Sequence, residues 1–478
     1  MERLHPDRLA ALAPGIQTPG YDRTGLGCGI VHLGLGSFHR AHQALYTEDA
    51  IEAAGGDWGI IGVSLRSDSV AAQLRPQDCL YSLLSEDGSS HQLRVVGAVR
   101  DVLVAPQQPQ RVIATIAAPG TALVTLTITE KGYYLAHDGV SLDADAAAMA
   151  ADLRRPGQPA TAIGILALGL RERMASCAAP ITLLSCDNLA GNSRKLAVVL
   201  RQYLERTFPA VIPWLDTAVT FPCSMVDRIV PAMTDQGRVR QAALLGLSDA
   251  GAVATEPFHQ WIIEDRFAGP RPAWEAAGAQ LVANIDPFEN IKLRLLNASH
   301  TAIACIGLLA RLETVDQGMA QASLADFVRR LMTLDLMPAL VAPPGFDLTA
   351  YRDQLLRRFS NPRLGHRCAQ IAMDSSEKIA QRWLPGLASG RQQPLLAAAL
   401  AAWCYLVLEG DCDIDDPRAS QLLSLRASVG NKRERVSAVL GCARIDADSV
   451  ATFDVLLQQI RHNMNIIANE GLEALLAT

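Results

Sequence analysis

Residues Gly29–Arg40 read GIVHLGLGSFHR. An apolar strand runs into Gly34-Leu35-Gly36, and a helix is expected from Phe38 to about Ala54, stopped by Gly55-Gly56. Strand, glycine turn and helix in this order make a dinucleotide site. Gly34 would make the tight turn, Gly36 would let backbone approach a pyrophosphate, and the helix start at Ser37 and Phe38 would face the anion. The third glycine of G-x-G-x-x-G is replaced by His39, so the fingerprint is incomplete, and a plain strand–turn–helix has the same appearance.

Working outward, Trp58–Leu65 (WGIIGVSL) reads as the next strand, with Asp68 just past its end. A carboxylate there can bind the adenosine ribose hydroxyls and repel a 2′-phosphate, which favours NAD over NADP, while Arg66 keeps NADP open. Tyr81–Val96 alternates around Glu86-Asp87-Gly88, a hairpin signal. Ala122–Thr129 and Ile181–Ser185 are further buried strands, each following a helical stretch. Strands alternating with helices predict an α/β fold built on a parallel, doubly wound sheet. Ligands of such sheets lie beyond the carboxyl ends of the strands, where Glu130 and Asn188 stand. Both residues also suit helix caps. The segment Thr220–Pro231 is extended and carries Asp227, and GAVATEPFHQWIIEDRF reads as a strand leaving the sheet.

From about residue 285 the chain reads as helix after helix, beginning with PFENIKLRLLNASHTAIACIGLLARL (Pro287–Leu312). On an ideal α-helix Glu289 and His300 lie about 60° and 80° round from Lys292, and Asn297 about 140°. The rest of the circumference is mostly Leu, Ile and Ala, which marks a largely buried helix. Burying a lysine costs several kcal/mol unless it is paired or its pKa falls. A buried lysine beside Asn and His can move a proton on a substrate oxygen, or the group can be a polar cluster tying helices together. Further on, Gln370, Asp374 and Lys378 recur every fourth residue, a spacing that puts them on one helix face, either solvated or facing a polyhydroxy ligand.

Composition narrows the class. Hydrophobic residues make up 49% and charged residues 19% of 478, enough for an ample core and two or three domains. A net charge of −6 gives no electrostatic case for nucleic acid or an anionic membrane. No apolar run is long enough to span a bilayer, and the charged N-terminus MERLHPDRLAALAPG does not read as a signal peptide. The ten cysteines, Cys412 among them, include no C-x-x-C pair and read as reduced thiols of a cytoplasmic protein. No short His/Cys cluster has zinc spacing, so no metal is expected.

Taken together, GLGSFHRAHQALY, TLTITEKGY, SCDN, FPCSMVDRIVP, EPFHQWIIEDRF, KLRLLNASH and RFSNP…QIAMDSSEK resemble the long-chain mannitol dehydrogenase family, over about residues 29 to 380 and in family order. The resemblance implies a Rossmann-like domain over residues 1–284 and a mostly α-helical substrate-binding domain over 285–478. It implies NAD as cofactor, held by Gly34, Gly36, Ser37, Phe38, Asp68 and Glu130, and no metal. Lys292 would be general base in alcohol oxidation and general acid in ketone reduction. Asn188 and Asn297 would hold the reacting oxygen, His300 would orient the substrate, and Glu289 would relay the proton. Asp227 and Lys378 would bind other hydroxyls, with Gln370 beside them. Many members are monomers, and nothing in this sequence argues for or against a dimer.

Two departures bear on substrate. Gln370 stands where mannitol dehydrogenases tend to carry arginine, and QIAMD is similar to the mannonate oxidoreductase (fructuronate reductase) branch. That branch reads D-G-S-Q-K where this chain has Asp374-Ser375-Ser376-Glu377-Lys378, and a carboxylate at Glu377 facing the site would disfavour a uronate. Ser69 replaces a second acidic residue found in some relatives. The expected activity is interconversion of a linear polyol or aldonate with its 2-keto form. Mannitol/fructose and mannonate/fructuronate lead, ahead of another hexitol or a pentitol such as arabinitol. The alternatives from other classes are a non-catalytic NAD-binding regulatory protein and a zinc alcohol dehydrogenase.

Overall fold

The computed structural model describes residues 1–87, 90–411, 413–428 and 430–478. The tip of the expected Glu86-Asp87-Gly88 turn and Cys412 lie outside the described residues. The chain divides into two compact units, Met1–Ile285 and Asp286–Thr478.

The first unit is built on six parallel strands. Numbered along the chain as Ile30–Leu33, Ile60–Ser64, Val99–Val104, Leu123–Leu126, Ile181–Ser185 and Val219–Thr220, they lie side by side in the order 3-2-1-4-5-6. This is the doubly wound dinucleotide-binding order, with its switch point beside Ile30–Leu33. Neighbouring residues of one strand go to opposite layers, as a period of two demands. Val31, Leu33, Val124 and Leu183 pack with the helices Pro109–Ala117, Ala162–Ser176 and Asn192–Thr207. Ile30, Leu123 and Leu184 pack on the other side, with Gln43–Ala54. Both faces are covered, which is why these strands are short and mostly apolar on both sides rather than alternating apolar and polar.

The expected helix Phe38–Ala54 is in fact two, Ser37–Ala41 and Gln43–Ala54, parted at His42 (φ −124°, ψ −86°). Buried polar contacts explain the break. The His42 Nε2 lies 2.9 Å from the Gln260 carbonyl and its Nδ1 3.0 Å from Gln43 Nε2, while Arg228 donates to the Ala41 carbonyl. Trp58–Leu65 shortens to Ile60–Ser64, and Ala122–Thr129 to Leu123–Leu126. GAVATEPFHQWIIEDRF is not one strand. Val253–Thr255 pairs with Tyr81–Glu86 in one three-stranded sheet, and Gln260–Glu264 pairs with Ser224–Asp227 and Gln280–Val282 in another. The split falls at Pro257, which cannot donate to a ladder.

The second unit is helical around one core. Its centre is a pair of packed helices, Ala298–Leu309 and Pro394–Glu409, both buried nearly all round. Phe453–Glu470 closes over the second of them. None of the nine described cysteines is in a disulfide, and seven of them are buried.

Candidate active site

In the first unit the glycine turn has the expected form. Gly34 sits at φ +97°, and a Cβ there would meet the Thr127 carbonyl oxygen at 2.1 Å, so both conformation and space demand glycine. Gly36 differs: the nearest atom to an added Cβ is 3.7 Å away, which leaves its backbone open to a ligand. His39, in place of the third glycine, is 1% exposed and stacks on His32 with ring centroids 3.5 Å apart. Close helix–strand packing is achieved here by two stacked rings rather than by a missing side chain. His32 is held by Thr125 Oγ1 at 2.8 Å and Thr127 Oγ1 at 2.9 Å. Thr127 donates to the Gly34 carbonyl, so it accepts from His32, and Nε2 carries the proton of this neutral ring. Burial takes the His32 pKa down to about 3.

Asp68 is exposed beyond the second strand, and Gln107 Nε2 lies 3.5 Å from its carboxylate. A cavity of about 440 Å³ opens past the ends of strands two and three, lined by Leu65, Ala105, Pro106, Ile113, Pro159 and Ile165. Glu130 stands exposed on a single 3₁₀ turn, Glu130–Tyr133. Asn188 is exposed at the end of the fifth strand, and Asp227 is 7% exposed at the end of Ser224–Asp227.

Two residues that the sequence reading passed over hold these strand ends. The Asp187 carboxylate accepts from Ile128 N at 3.0 Å, Thr129 N at 2.8 Å and the Tyr133 hydroxyl at 2.7 Å. It ties the Glu130 turn to the Asn188 loop, and burial raises its pKa although these hydrogen bonds oppose the rise. Asn192 donates to both the Asp187 and Ser224 carbonyls, which joins that loop to the strand of Asp227. The S-C-D-N stretch drew attention to this loop, but only contacts separate the loop's anchor, Asp187, from its exposed Asn188.

In the second unit the lysine helix is not uniformly α-helical. Asp286–Ile291 is α, Lys292–Asn297 is a π-helix, and Ala298–Leu309 is α again. Ala298 N donates to the Leu293 carbonyl, the five-residue link of a π turn. The angles expected for an ideal α-helix therefore do not hold from Glu289 to His300. The π segment begins at Lys292, 8% exposed, and ends at Asn297, with His300, 7% exposed, one turn on. Inserted π turns of this kind are frequent at functional sites. Glu289 is half-buried. Arg382 props the end of the π segment, donating to the Asn297 carbonyl at 3.3 Å and to Thr301 Oγ1 at 2.6 Å.

His300 is boxed by Phe359, stacked at 4.8 Å, and by the edge of His366 at 4.7 Å. Burial first, then His366, Arg382 and Arg358, hold its pKa well below 6.5, so it is a neutral imidazole. R-F-S-N-P was a signal for Phe359; nothing in the sequence pointed to His366.

Gln370, Asp374 and Lys378 do not share one helix. Cys368–Ala372 ends, Asp374 turns left-handed (φ +53°), and Ser375–Arg382 begins. Gln370 is exposed and lines a cavity of about 600 Å³ with Arg367, Met373, Trp403 and Asp415, whereas Lys378 does not line it and instead donates to the Ile371 carbonyl at 3.2 Å. Burial, then Arg382, lowers the Lys378 pKa. Glu377 is exposed, on a different side of the helix from Lys378 because successive residues point about 100° apart. Among the described residues no group of three or more His, Cys, Asp or Glu could hold a metal, and no helix is long and apolar enough to cross a membrane.

A switch-point glycine turn on a doubly wound sheet, followed by a helical unit with a buried lysine, defines the class as a two-domain dehydrogenase. The chain belongs to the mannitol dehydrogenase family: the family's Rossmann domain matches residues 28–276 and its C-terminal domain residues 284–468. It is 38% identical to the D-mannonate oxidoreductase of Escherichia coli strain K12, over 91% of this chain and 92% of that protein. It is also 38% identical to a polyol:NADP oxidoreductase of Gluconobacter oxydans, over 79% of each chain. The solved ternary complex of Pseudomonas fluorescens mannitol 2-dehydrogenase with NAD and D-mannitol superposes with a TM-score of 0.84 at 32% identity, over 99% of both chains.

Proposed function

We propose that the protein is a metal-independent, NAD-dependent oxidoreductase interconverting a linear polyol or aldonate with its 2-keto sugar, with Lys292 as the proton-transfer group. The observation that carries this reading is the π-helical segment bounded by buried Lys292 and by Asn297, with neutral His300 one turn beyond. The first unit fits a dinucleotide. The backbone of Gly36 is open for a pyrophosphate, Ser37 and Phe38 come directly after it, Asp68 stands where ribose hydroxyls would reach, and the 440 Å³ cavity would take the adenine. Glu130 stands on the turn after the fourth strand, beyond the carboxyl end of the sheet where such ligands lie.

Bound NAD supplies the hydride acceptor in oxidation and the donor in reduction. Lys292 takes the hydroxyl proton of the reacting carbon in oxidation and returns it to the carbonyl oxygen in reduction. Asn297 and Asn188 donate hydrogen bonds to that oxygen as negative charge develops on it. His300, fixed between two rings, orients the neighbouring hydroxyl. Lys378 and Asp227 bind the remaining polar groups, and Glu289 passes the proton from Lys292 towards water. Gln370 reaches the substrate only if the far end enters the 600 Å³ cavity that it lines.

Glu377 is exposed and on a different side of its helix from Lys378, so a carboxylate-ended substrate of the mannonate/fructuronate type stays open beside mannitol/fructose. The test measures NADH oxidation at neutral pH with D-fructose and D-fructuronate side by side, on the wild type and on Lys292→Ala. The variant should lose about a thousandfold or more in turnover while binding NADH as before. Undiminished turnover would remove lysine from the mechanism; NADH binding with no ketose or keto-acid reduced would favour a regulatory protein.

A further inference from the structure

His366 braces His300 in the proposed function, but as a polar ring it is given no contact of its own with substrate there. Its segment is pinned by backbone. Gly365 (φ +52°) makes the bend before it, the His366 carbonyl accepts from Val315 N at 3.0 Å, and Cys368 N donates to the Glu313 carbonyl at 2.9 Å. Thr314 and Arg367 form the bridge between these two segments. A ring mounted this way is held in place by main chain rather than by its own side-chain contacts.

The ring stands against His300, with centroids 4.7 Å apart and planes 80° from each other. Lys378 is close enough to act on its charge, and together with burial it lowers the His366 pKa, so this imidazole is neutral too. His366 therefore stands against His300, and its charge is felt by Lys378, both of them groups of the helical unit assigned to substrate. Its Nδ1 is buried and has no hydrogen-bond partner among the described residues. A buried polar atom left unpaired costs about as much as a lost hydrogen bond, and the fold spends a rigid bridge on holding it there.

We propose that His366 contacts the substrate, its imidazole forming a hydrogen bond with a hydroxyl or carboxylate oxygen beyond the carbon that reacts. A neutral imidazole offers one donor and one acceptor, which suits a sugar hydroxyl. The positive charge of Lys378, which acts on this ring, also favours a carboxylate oxygen there. This inference rests on the assignment of His300 and Lys378 to substrate in the proposed function.

The test compares His366→Phe with His366→Gln. Phenylalanine keeps an aromatic edge against His300 but has no nitrogen, whereas glutamine keeps a polar group. Steady-state KM for the preferred keto substrate should rise about tenfold in His366→Phe and less in His366→Gln, with KM for NADH unchanged. Ketoses lacking one hydroxyl should show the contact directly. For the analogue missing the bonded group, wild type and His366→Phe should have the same kcat/KM. If His366→Phe matches the wild type on every substrate, the ring only braces His300 and the proposal fails. Failure of the proposed function reads differently, as unimpaired turnover in Lys292→Ala. If neither variant folds, soaking the wild-type protein with the keto substrate decides the matter: an oxygen within hydrogen-bond distance of the His366 ring supports the proposal, and its absence overturns it.

Discussion

The Asp416 carboxylate caps a helix that belongs to another part of the chain: it accepts from Ser376 N at 2.8 Å and Ser376 Oγ at 2.7 Å. The helix Ser375–Arg382 begins after left-handed Asp374, whose own side chain makes no cap. Asp416 takes over that duty and also accepts from Ser375 Oγ, which in turn accepts from Trp403 Nε1 at 3.1 Å. Ser375 and Ser376 are both buried, so their donors have no water to turn to. Asp416→Ala should therefore destabilise the protein by about 2–4 kcal/mol. It should also raise KM for the sugar, because Lys378 rides on the same helix. Urea unfolding with sugar kinetics checks this, and a change under 0.5 kcal/mol would show that the loop contributes nothing.

Buried neutral histidines set the acid limit of the fold. Burial lowers the pKa of His32 and His42 to about 3 and of His259 to about 4, from 6.5. His39, His300 and His366 are lowered as well. The unfolded chain binds protons on these rings below pH 6.5 while the native one does not. Their stability is thus whole above pH 6.5 and is lost as pH falls towards the folded values. For His32 and His42 alone the loss between pH 6.5 and 4.5 is about 5 kcal/mol. The slope of unfolding free energy against pH, measured from pH 7 to 4, should correspond to two or more protons, and His42→Gln should flatten it by about one. A slope below one proton would contradict this account.

Asp68 bears on the choice between NAD and NADP. It is exposed, has Arg66 two residues before it, and is followed by Ser69 rather than a second acid. Only one carboxylate in this stretch repels a 2′-phosphate. Asp68→Ser should shift the ratio of kcat/KM for NADPH over NADH upward by about tenfold or more. An unchanged ratio would move discrimination elsewhere, the cavity lined by Ala105 and Ile113 being the next place to look.

The chain announced its architecture because strands and glycine turns are local signals. Gly34 must be glycine for its φ and for the Thr127 carbonyl beside it, and Ile181–Ser185 (ITLLS) is a strand in the structure with the bounds read from the sequence. The residues of the lysine helix were legible for the same reason, as polar letters on an apolar run. Their mutual geometry was not, since a π turn differs from an α turn by one hydrogen-bond offset that the sequence does not mark. The even spacing of Gln370, Asp374 and Lys378 misled because Asp374 is turned left-handed and a distant Asp416 caps the helix that starts at Ser375.

By itself, then, the sequence determined the alternation of strands and helices, the glycine turn after the first strand and the polar side chains set in the apolar run of the lysine helix. All of these depend on neighbours within a few positions. The tertiary structure decided what stands beside what: His39 on His32, Asp187 across two strand ends, and His366 against His300. Those pairings join residues far apart in the chain, and only packing, which fills space and leaves few polar atoms unmatched, brings them together.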